Sequence, residues 1–356
     1  MLGKAAFIVI DSGFSRESIS GLTKVLGICN LDDARFTIGA PFVDAEELNL
    51  FAGDPMKHGS IVLQRLRELD PDAPFVLIKA YGHDLRLIRT GWAHGRQVSP
   101  GWTEAYLWAV ELCRRVGLPS VANCSFGGFT HASDGTGWES FQLGHATGAG
   151  RPGHVLVAAA GPGDGRAVHA SWMTAAGDST TVDVYQQETS QYNLWSALPG
   201  VDAWTLEVRK DGQVVGFFQG AGVPVNFWNN RQQLMFTVHG SGHFQFVLRR
   251  AGIAGGANRF DCWVVGGAGA SFVNYVDPTL IAEPAVFPHV LAVGLCNGKY
   301  APDQALPGRK PDVLLDGTGA ISFRLPEVTA HVARLLSVNP RLDVERVRAL
   351  IGKHPQ

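Results

Sequence analysis

The sequence predicts an α/β protein, a doubly wound and mainly parallel sheet with an all-β sandwich inserted into it. Three observations carry that prediction. Short apolar runs recur that are too continuous to leave a polar face, as strands covered by helices on both sides require. Segments with helical apolar spacing separate them. A central stretch then changes to alternation, the pattern of half-buried antiparallel strands.

In chain order, "AFIVI" (6–10) is the first buried strand. "HGSIVLQRLRELD" from His58 places Val62, Leu66 and Leu69 on one helical stripe, and "FVLIKA" (75–80) returns to a strand. "TEAYLWAVELCRRVG" opens with Thr103 as a cap beside Glu104 and stops at Gly117. "SVANCSF" (120–126) and "HVLVAAA" (154–160) are two further strands. From Trp172 to Tyr275 the runs "TTVDVYQ", "WTLEVRKDGQVVGFF", "QLMFTVHG", "HFQFVLRR" and "FDCWVV" alternate, and "RKDGQ" is an Asp-Gly hairpin turn. "HVLAVGL" (289–295) resumes the sheet, a helix starts at Pro326, where a first turn tolerates proline, and "DVERVRALI" from Asp343 closes the chain. The expected division is an α/β domain over 1–170 and 276–356 and an inserted β-sandwich over 171–275.

Composition narrows the function. With 356 residues, 46% hydrophobic and 17% charged, the chain can build a sizeable core. Thirty basic against 32 acidic residues leave a charge of −2, without the basic footprint of a nucleic-acid binder. No apolar stretch is long enough to span a bilayer. Five cysteines without CxxC spacing argue against a disulfide framework or a zinc site, and Cys124 and Cys262 lie in apolar runs as buried thiols. A short apolar run at the N-terminus is interrupted by Asp11 and has no cleavage site after it, so a cytoplasmic protein is expected.

Ligands of doubly wound folds sit at the carboxyl ends of strands, and three reactive side chains fall at such ends or at helix starts. Asp11 directly follows "FIVI", and burying a carboxylate there is costly without a partner. Asp-Ser-Gly is equally good turn or cap chemistry. His58 stands at a helix start, where the dipole keeps an imidazole available as a base, although a histidine there is more often an ordinary surface residue. Ser322, in "DGTGAISFRLP", is either a helix N-cap or a nucleophile beside free N–H groups that stabilise an oxyanion. Each signal alone is weak, but their order along the chain is informative.

Asp, then His, then Ser is the order of the subtilisin triad, and the chain resembles subtilisin-like serine peptidases over almost its whole length. "FIVIDSGF" is similar to the family's Asp segment and implies that Asp11 orients the histidine. "HGSIV" resembles the His segment and implies that His58 is the general base. "KPDVLLDGTGAISFRLPEVTAHVARLLSVNP" resembles the nucleophile segment, with Ser322 as nucleophile and Pro326 and Pro340 where the family has prolines. "SVANCSFGG" resembles the Asn-x-Ser-x-Gly-Gly stretch and implies that Ser125, Phe126 and Gly127 line the cleft and pair with a peptide as an added strand. "HVLVAAAG" resembles one wall of the specificity pocket, implying Ala159, Ala160 and Gly161 in that wall. The insert resembles a jelly-roll module of some bacterial subtilases, with "NLW", "NRFDCWV" and "TLIAEPA" as counterparts.

Two positions depart from the pattern. After "AAAG" the family has an asparagine that donates to the oxyanion, and this chain has Pro162, which cannot donate. Loss of such a donor costs about 10²–10³ in turnover. Ile321 replaces the usual threonine before the nucleophile, leaving the Ser322 N–H as the surviving donor of the oxyanion region. Asp11 comes so early that the resemblance implies no propeptide, no zymogen and no structural calcium, and no metal or cofactor is expected. The expected partners are a peptide or protein substrate and a regulatory protein, with no nucleic acid and no membrane. The expected activity is a serine endopeptidase acting in intracellular processing or regulated proteolysis. Pro162 and Ile321 motivate a second reading, a pseudoprotease or peptide-binding scaffold. The same triad also serves hydrolases of other esters and amides. No acid is evident in the primary pocket, so an apolar side chain is the expected preference.

Overall fold

The computed structural model describes residues 3–31, 45–80, 92–93, 96–97, 101–130, 133–161, 166–223, 225–226, 229–251, 256–266, 269–277, 281–296, 310–317 and 319–351. The chain begins with β1 (Ala6–Asp11), α1 (Arg16–Ser20), β2 (Val25–Asn30), α2 (Ala45–Phe51), α3 (His58–Leu69) and β3 (Phe75–Lys79). A short antiparallel pair, β4 (Trp92–Ala93) with β5 (Arg96–Gln97), precedes α4 (Trp102–Arg115), β6 (Ser120–Cys124), α5 (Trp138–Leu143) and β7 (His154–Ala159). Nine antiparallel strands follow. They are β8 (His169–Ala175), β9 (Ser179–Gln186), β10 (Ser190–Pro199), β11 (Trp204–Lys210), β12 (Gln213–Gln219), β13 (Arg231–Val238), β14 (Gly242–Arg250), β15 (Ala257–Gly266) and β16 (Ser271–Phe272). β17 (Leu291–Leu295), β18 (Val313–Leu315), α6 (Ile321–Val338) and α7 (Val344–Ile351) return to the α/β part.

Seven strands form one sheet in the order β18-β17-β7-β6-β1-β3-β2, parallel throughout. β1 lies inside it, between β6 and β3, and is wholly buried. Its side chains alternate between two cores, as strand geometry demands. Phe7 and Val9 join Val62, Leu66, Leu325 and Val332 on the α3/α6 face. Ile8 and Ile10 join Tyr106, Val110 and Phe287 on the α4 face. Covering both faces explains why these strands read as unbroken apolar runs. Parallel pairing also brings the carboxyl ends of β1, β6 and β7 to one edge, so Asp11, Ser125 and Gly161 follow neighbouring strands.

The antiparallel strands make two sheets, β13-β10-β15-β8 and β12-β11-β14-β9-β16. Between them Trp172, Tyr192, Trp204, Phe236, Phe246 and Phe260 form a third core, with the Tyr192 and Phe246 rings edge to face at 4.9 Å. The "RKDGQ" turn is a two-residue hairpin between β11 and β12. Asp211 and Gly212 both have positive φ, 50° and 78°, as a type I′ turn requires.

Two local expectations need correction. α4 starts at Trp102 with Gly101 as its cap, so Thr103 lies inside the helix; Glu104 accepts from the Gly101 N–H at 2.9 Å instead. α6 starts at Ile321, five residues before Pro326. Proline is tolerated there because the bond it cannot make is supplied from outside the helix. An N–H at position 326 would donate to the Ser322 carbonyl, and the Ser125 hydroxyl donates to that carbonyl at 2.9 Å.

Candidate active site

Asp11 ends β1 with its side chain fully buried. Its Oδ1 accepts from the Ser12 N–H at 2.7 Å and lies 2.7 Å from His58 Nδ1. An ionised carboxylate only accepts, so Nδ1 carries the proton and Nε2 of the neutral ring is the basic nitrogen. Neither the turn reading of Asp11 nor the exposed-surface reading of His58 describes this pair; the His58 side chain is 12% exposed. Asp11 Oδ2 is buried with no hydrogen-bond partner among the described residues.

Glycine permits the approach. A Cβ on Gly59 would sit 2.2 Å from the Gly13 carbonyl and 3.0 Å from Asp11 Oδ1. Gly13 itself has φ +141°, and a Cβ there would meet the Gly53 carbonyl at 2.2 Å. With Lys57 in the left-handed region and no side-chain cap from it, the start of α3 is held by Asp54. Its Oδ2 accepts from the Ser60 N–H and hydroxyl at 2.8 and 2.6 Å, and its Oδ1 accepts from the Ser12 hydroxyl at 2.8 Å. The Ser12 oxygen in turn accepts from the Gly59 N–H at 3.2 Å. Sequence reasoning missed Asp54, although an acid just before a helix start is a capping signal.

The titrations follow from this packing. Burial raises the Asp11 carboxyl above its ordinary value, and the hydrogen bond and charge of His58 offset part of that rise. Burial alone would lower His58, but the Asp11 hydrogen bond and charge, with the Asp54 charge behind them, hold the imidazole above its ordinary value.

Ser322 lies in the first turn of α6, whose cap is Ala320 and not Ser322. Its hydroxyl donates to the Ser125 carbonyl at 2.9 Å, reciprocating the Ser125 hydroxyl bond to the Ser322 carbonyl. No hydrogen bond joins Ser322 to His58, so the structure pairs Asp11 with His58 and Ser322 with Ser125. The two pairs abut: the ring of Phe323, the next residue, lies 5.4 Å from the imidazole. α3 and α6 pack together through one core and an Arg65–Glu327 ion pair at 3.4 Å. Behind Ser125, Thr329 Oγ1 donates to Asn123 Oδ1 and Asn123 Nδ2 donates to Ser125 Oγ, at 2.9 and 2.8 Å. Thr329 lies inside the segment that resembles the nucleophile motif, but sequence reasoning did not single it out.

α6 has no side-chain cap, and the N–H groups of Ile321 and Ser322 have no hydrogen-bond partner among the described residues. The start of an 18-residue helix thus faces the site with open donors. Pro162, the altered position of the oxyanion region, lies outside the described residues.

Of the residues expected to line the cleft, Ser125, Phe126, Ala159, Ala160 and Gly161 are buried and Gly127 is exposed. Ala282 N–H donates to the Ala160 carbonyl at 3.1 Å. A Cβ on Gly127 would come within 2.6 Å of Ala282 Cβ and 3.7 Å of the Ala159 carbonyl. Gly161 follows with φ +97°. Phe126 packs edge to face with Trp102 at 5.6 Å. Gly127 is exposed, and its N–H and C=O have no partner among the described residues. Next to it a small cavity is lined by Trp102, Phe126, Gly128, Glu139, Glu283 and Phe287, which brings together two carboxylates that the sequence did not single out. Among the described residues no cluster of His, Cys, Asp or Glu is arranged to hold a metal.

No protein-family model and no curated protein matches the sequence. Among solved structures, the chain is similar to the CspB protease of Clostridium perfringens, with a TM-score of 0.68 at 14% identity over 98% of this chain and 88% of that one. The chain therefore shares the fold of a protease, α/β with added antiparallel sheets. Parts of it also align with a family 35 carbohydrate-binding module from an environmental isolate, at TM-score 0.21 and 16% identity over 27% of this chain and 71% of that one. A carbohydrate-binding module of Cellvibrio mixtus lichenase 5A aligns at TM-score 0.18 and 17% identity over 29% and 92%. These likenesses are too slight to bear on function.

Proposed function

We propose that the protein is a serine endopeptidase in which Asp11, His58 and Ser322 form the triad. The observation that carries this reading is the 2.7 Å Asp11–His58 pair beside the uncapped start of the helix that bears Ser322. Asp11 fixes the tautomer and His58 Nε2 takes the Ser322 proton as the hydroxyl attacks a scissile carbonyl. The proton then passes to the leaving amine, and water repeats the sequence to release the acyl group. The oxyanion is held by the Ser322 N–H with help from the α6 terminus. A peptide pairs with Gly127, whose backbone groups are open, as an added strand.

Before attack, the Ser322 hydroxyl must leave the Ser125 carbonyl and turn to His58. A fluorophosphonate probe tests the reading, together with mass spectrometry of a peptide library incubated with wild type and Ser322→Ala. Labelling and cleavage by wild type alone are the expected results; wild type that neither labels nor cleaves would refute it. The Ser322–Ser125 bond, with Pro162 and Ile321, favours a second reading, a peptide-binding scaffold. Equal peptide affinity in wild type and Ser322→Ala, without cleavage by either, would select that one.

A further inference from the structure

The cleft segment is fixed at both ends. At its start Ser125 and Ser322 exchange two hydrogen bonds. Further along, Gly128 exchanges backbone bonds of 3.1 and 3.0 Å with Glu283. The next two carbonyls turn away from the α/β core and toward the antiparallel sheets. Asn193 Nδ2 on β10 donates to the Phe129 carbonyl at 2.9 Å. Gln233 Nε2 on β13 donates to the Thr130 carbonyl at 2.7 Å and to Asn193 Oδ1 at 3.0 Å.

These amides sit on the face of the four-stranded sheet opposite its aromatic core. In a free sandwich that face would be wet. Here Asn193 is wholly buried, Trp195 and Trp263 are nearly so, and both tryptophans pack against Phe129. Register places Asn193 across from Trp263, and Trp195 across from Gln233. An Arg231–Asp134 ion pair and an Asn229–Thr136 bond of 3.3 Å flank the contact. An amide buried among tryptophans is costly unless its donors are matched, so this interface favours one position of the 129–130 backbone over its neighbours.

We propose that Asn193 and Gln233 are positioning residues for substrate binding, holding the 125–130 segment in the path along which a peptide pairs. The inserted sheets thereby set substrate affinity from behind the cleft without touching the reacting atoms. This rests on the endopeptidase reading, but part of its test does not.

The test uses the full chain with Gln233→Met and Asn193→Leu, singly and together, folding being checked by thermal unfolding. In the double variant KM for an extended peptide rises roughly fivefold to tenfold, the worth of about one net hydrogen bond. The values of kcat and the fluorophosphonate labelling rate stay within about twofold, a split that general loosening of the fold would not produce. Hydrogen exchange at the Gly128 amide accelerates while that of β1 does not. A KM equal to wild type overturns the proposal. If Asn193→Leu fails to fold, Gln233→Met alone, at a half-buried position, decides by the same criteria. If wild type neither labels nor cleaves, the endopeptidase reading has failed, and Gly128 exchange then decides this proposal by itself: acceleration supports it and no change overturns it.

Discussion

Two helix starts meet at the site, and they are finished in opposite ways. The start of α3 is filled: Asp54 and Ser12 accept from Ser60 and Gly59, bringing an acid close to His58. The start of α6 is left open, with alanine as cap and the Ile321 and Ser322 N–H groups unmatched among the described residues. A filled terminus with an added carboxylate favours a cation, which a general base becomes during reaction. An open terminus favours an anion, which an attacked carbonyl becomes. On the proposed mechanism the same local geometry serves two charges, and capping decides which.

The most severe way to break the contrast is Ser322→Ala, which leaves the open terminus with no nucleophile. Turnover of a cleaved peptide falls about 10⁶-fold, read by mass spectrometry over long incubations. Asp11→Asn keeps the shape but presents the wrong tautomer to the substrate, and kcat falls about 10⁴-fold in steady-state assays. A loss below tenfold would remove Asp11 from the triad.

Asp54→Asn sharpens the comparison at α3. In the proposed mechanism His58 acts as a base only when neutral, so kcat/KM falls as pH drops through its pKa, which Asp11 and Asp54 hold above the ordinary histidine value. Removing the Asp54 charge lowers that pKa, and the acid limb of the pH–rate profile moves to lower pH. A limb that stays in place, or moves to higher pH, would contradict the role given to Asp54. The same change weakens the cap by about 1 kcal/mol in denaturant unfolding.

The smallest effect concerns α6. Ser125→Ala leaves the Ser322 carbonyl without its donor and costs about 1 kcal/mol of stability. In that background Pro326→Ala restores a donor to the same carbonyl, so the two changes are strongly non-additive in a double-mutant cycle. Simple additivity would show that the hydroxyl does not stand in for the missing N–H.

Much of this frame was legible in the sequence. β1, β3, β6 and β7 announced themselves because strands buried on both faces must be apolar throughout, and Asp211-Gly212 announced its turn through backbone chirality. Asp11, His58 and Ser322 were legible as motifs, but the hydroxyl's bond to Ser125 was not, since nothing in local spacing encodes which carbonyl a rotamer finds. β2 was missed because Gly27 and Asn30 interrupt its apolar run. β10 was missed because its outward residues Asn193 and Trp195 are buried by a distant loop, which spoils the alternation of a half-wet strand. The early start of α6 was hidden by Pro326, whose compensation comes from Ser125, 197 residues before the Ser322 carbonyl it serves.

The place of β1 carries a consequence for heat inactivation. Asp11 terminates a strand with neighbours on either side and no accessible residue, so no partial melting of a sheet margin reaches it. On the proposed mechanism, the carboxylate that orients His58 therefore stays in place until the parallel sheet gives way. Warming should switch the molecule off in one cooperative step, coincident with loss of its far-ultraviolet dichroism.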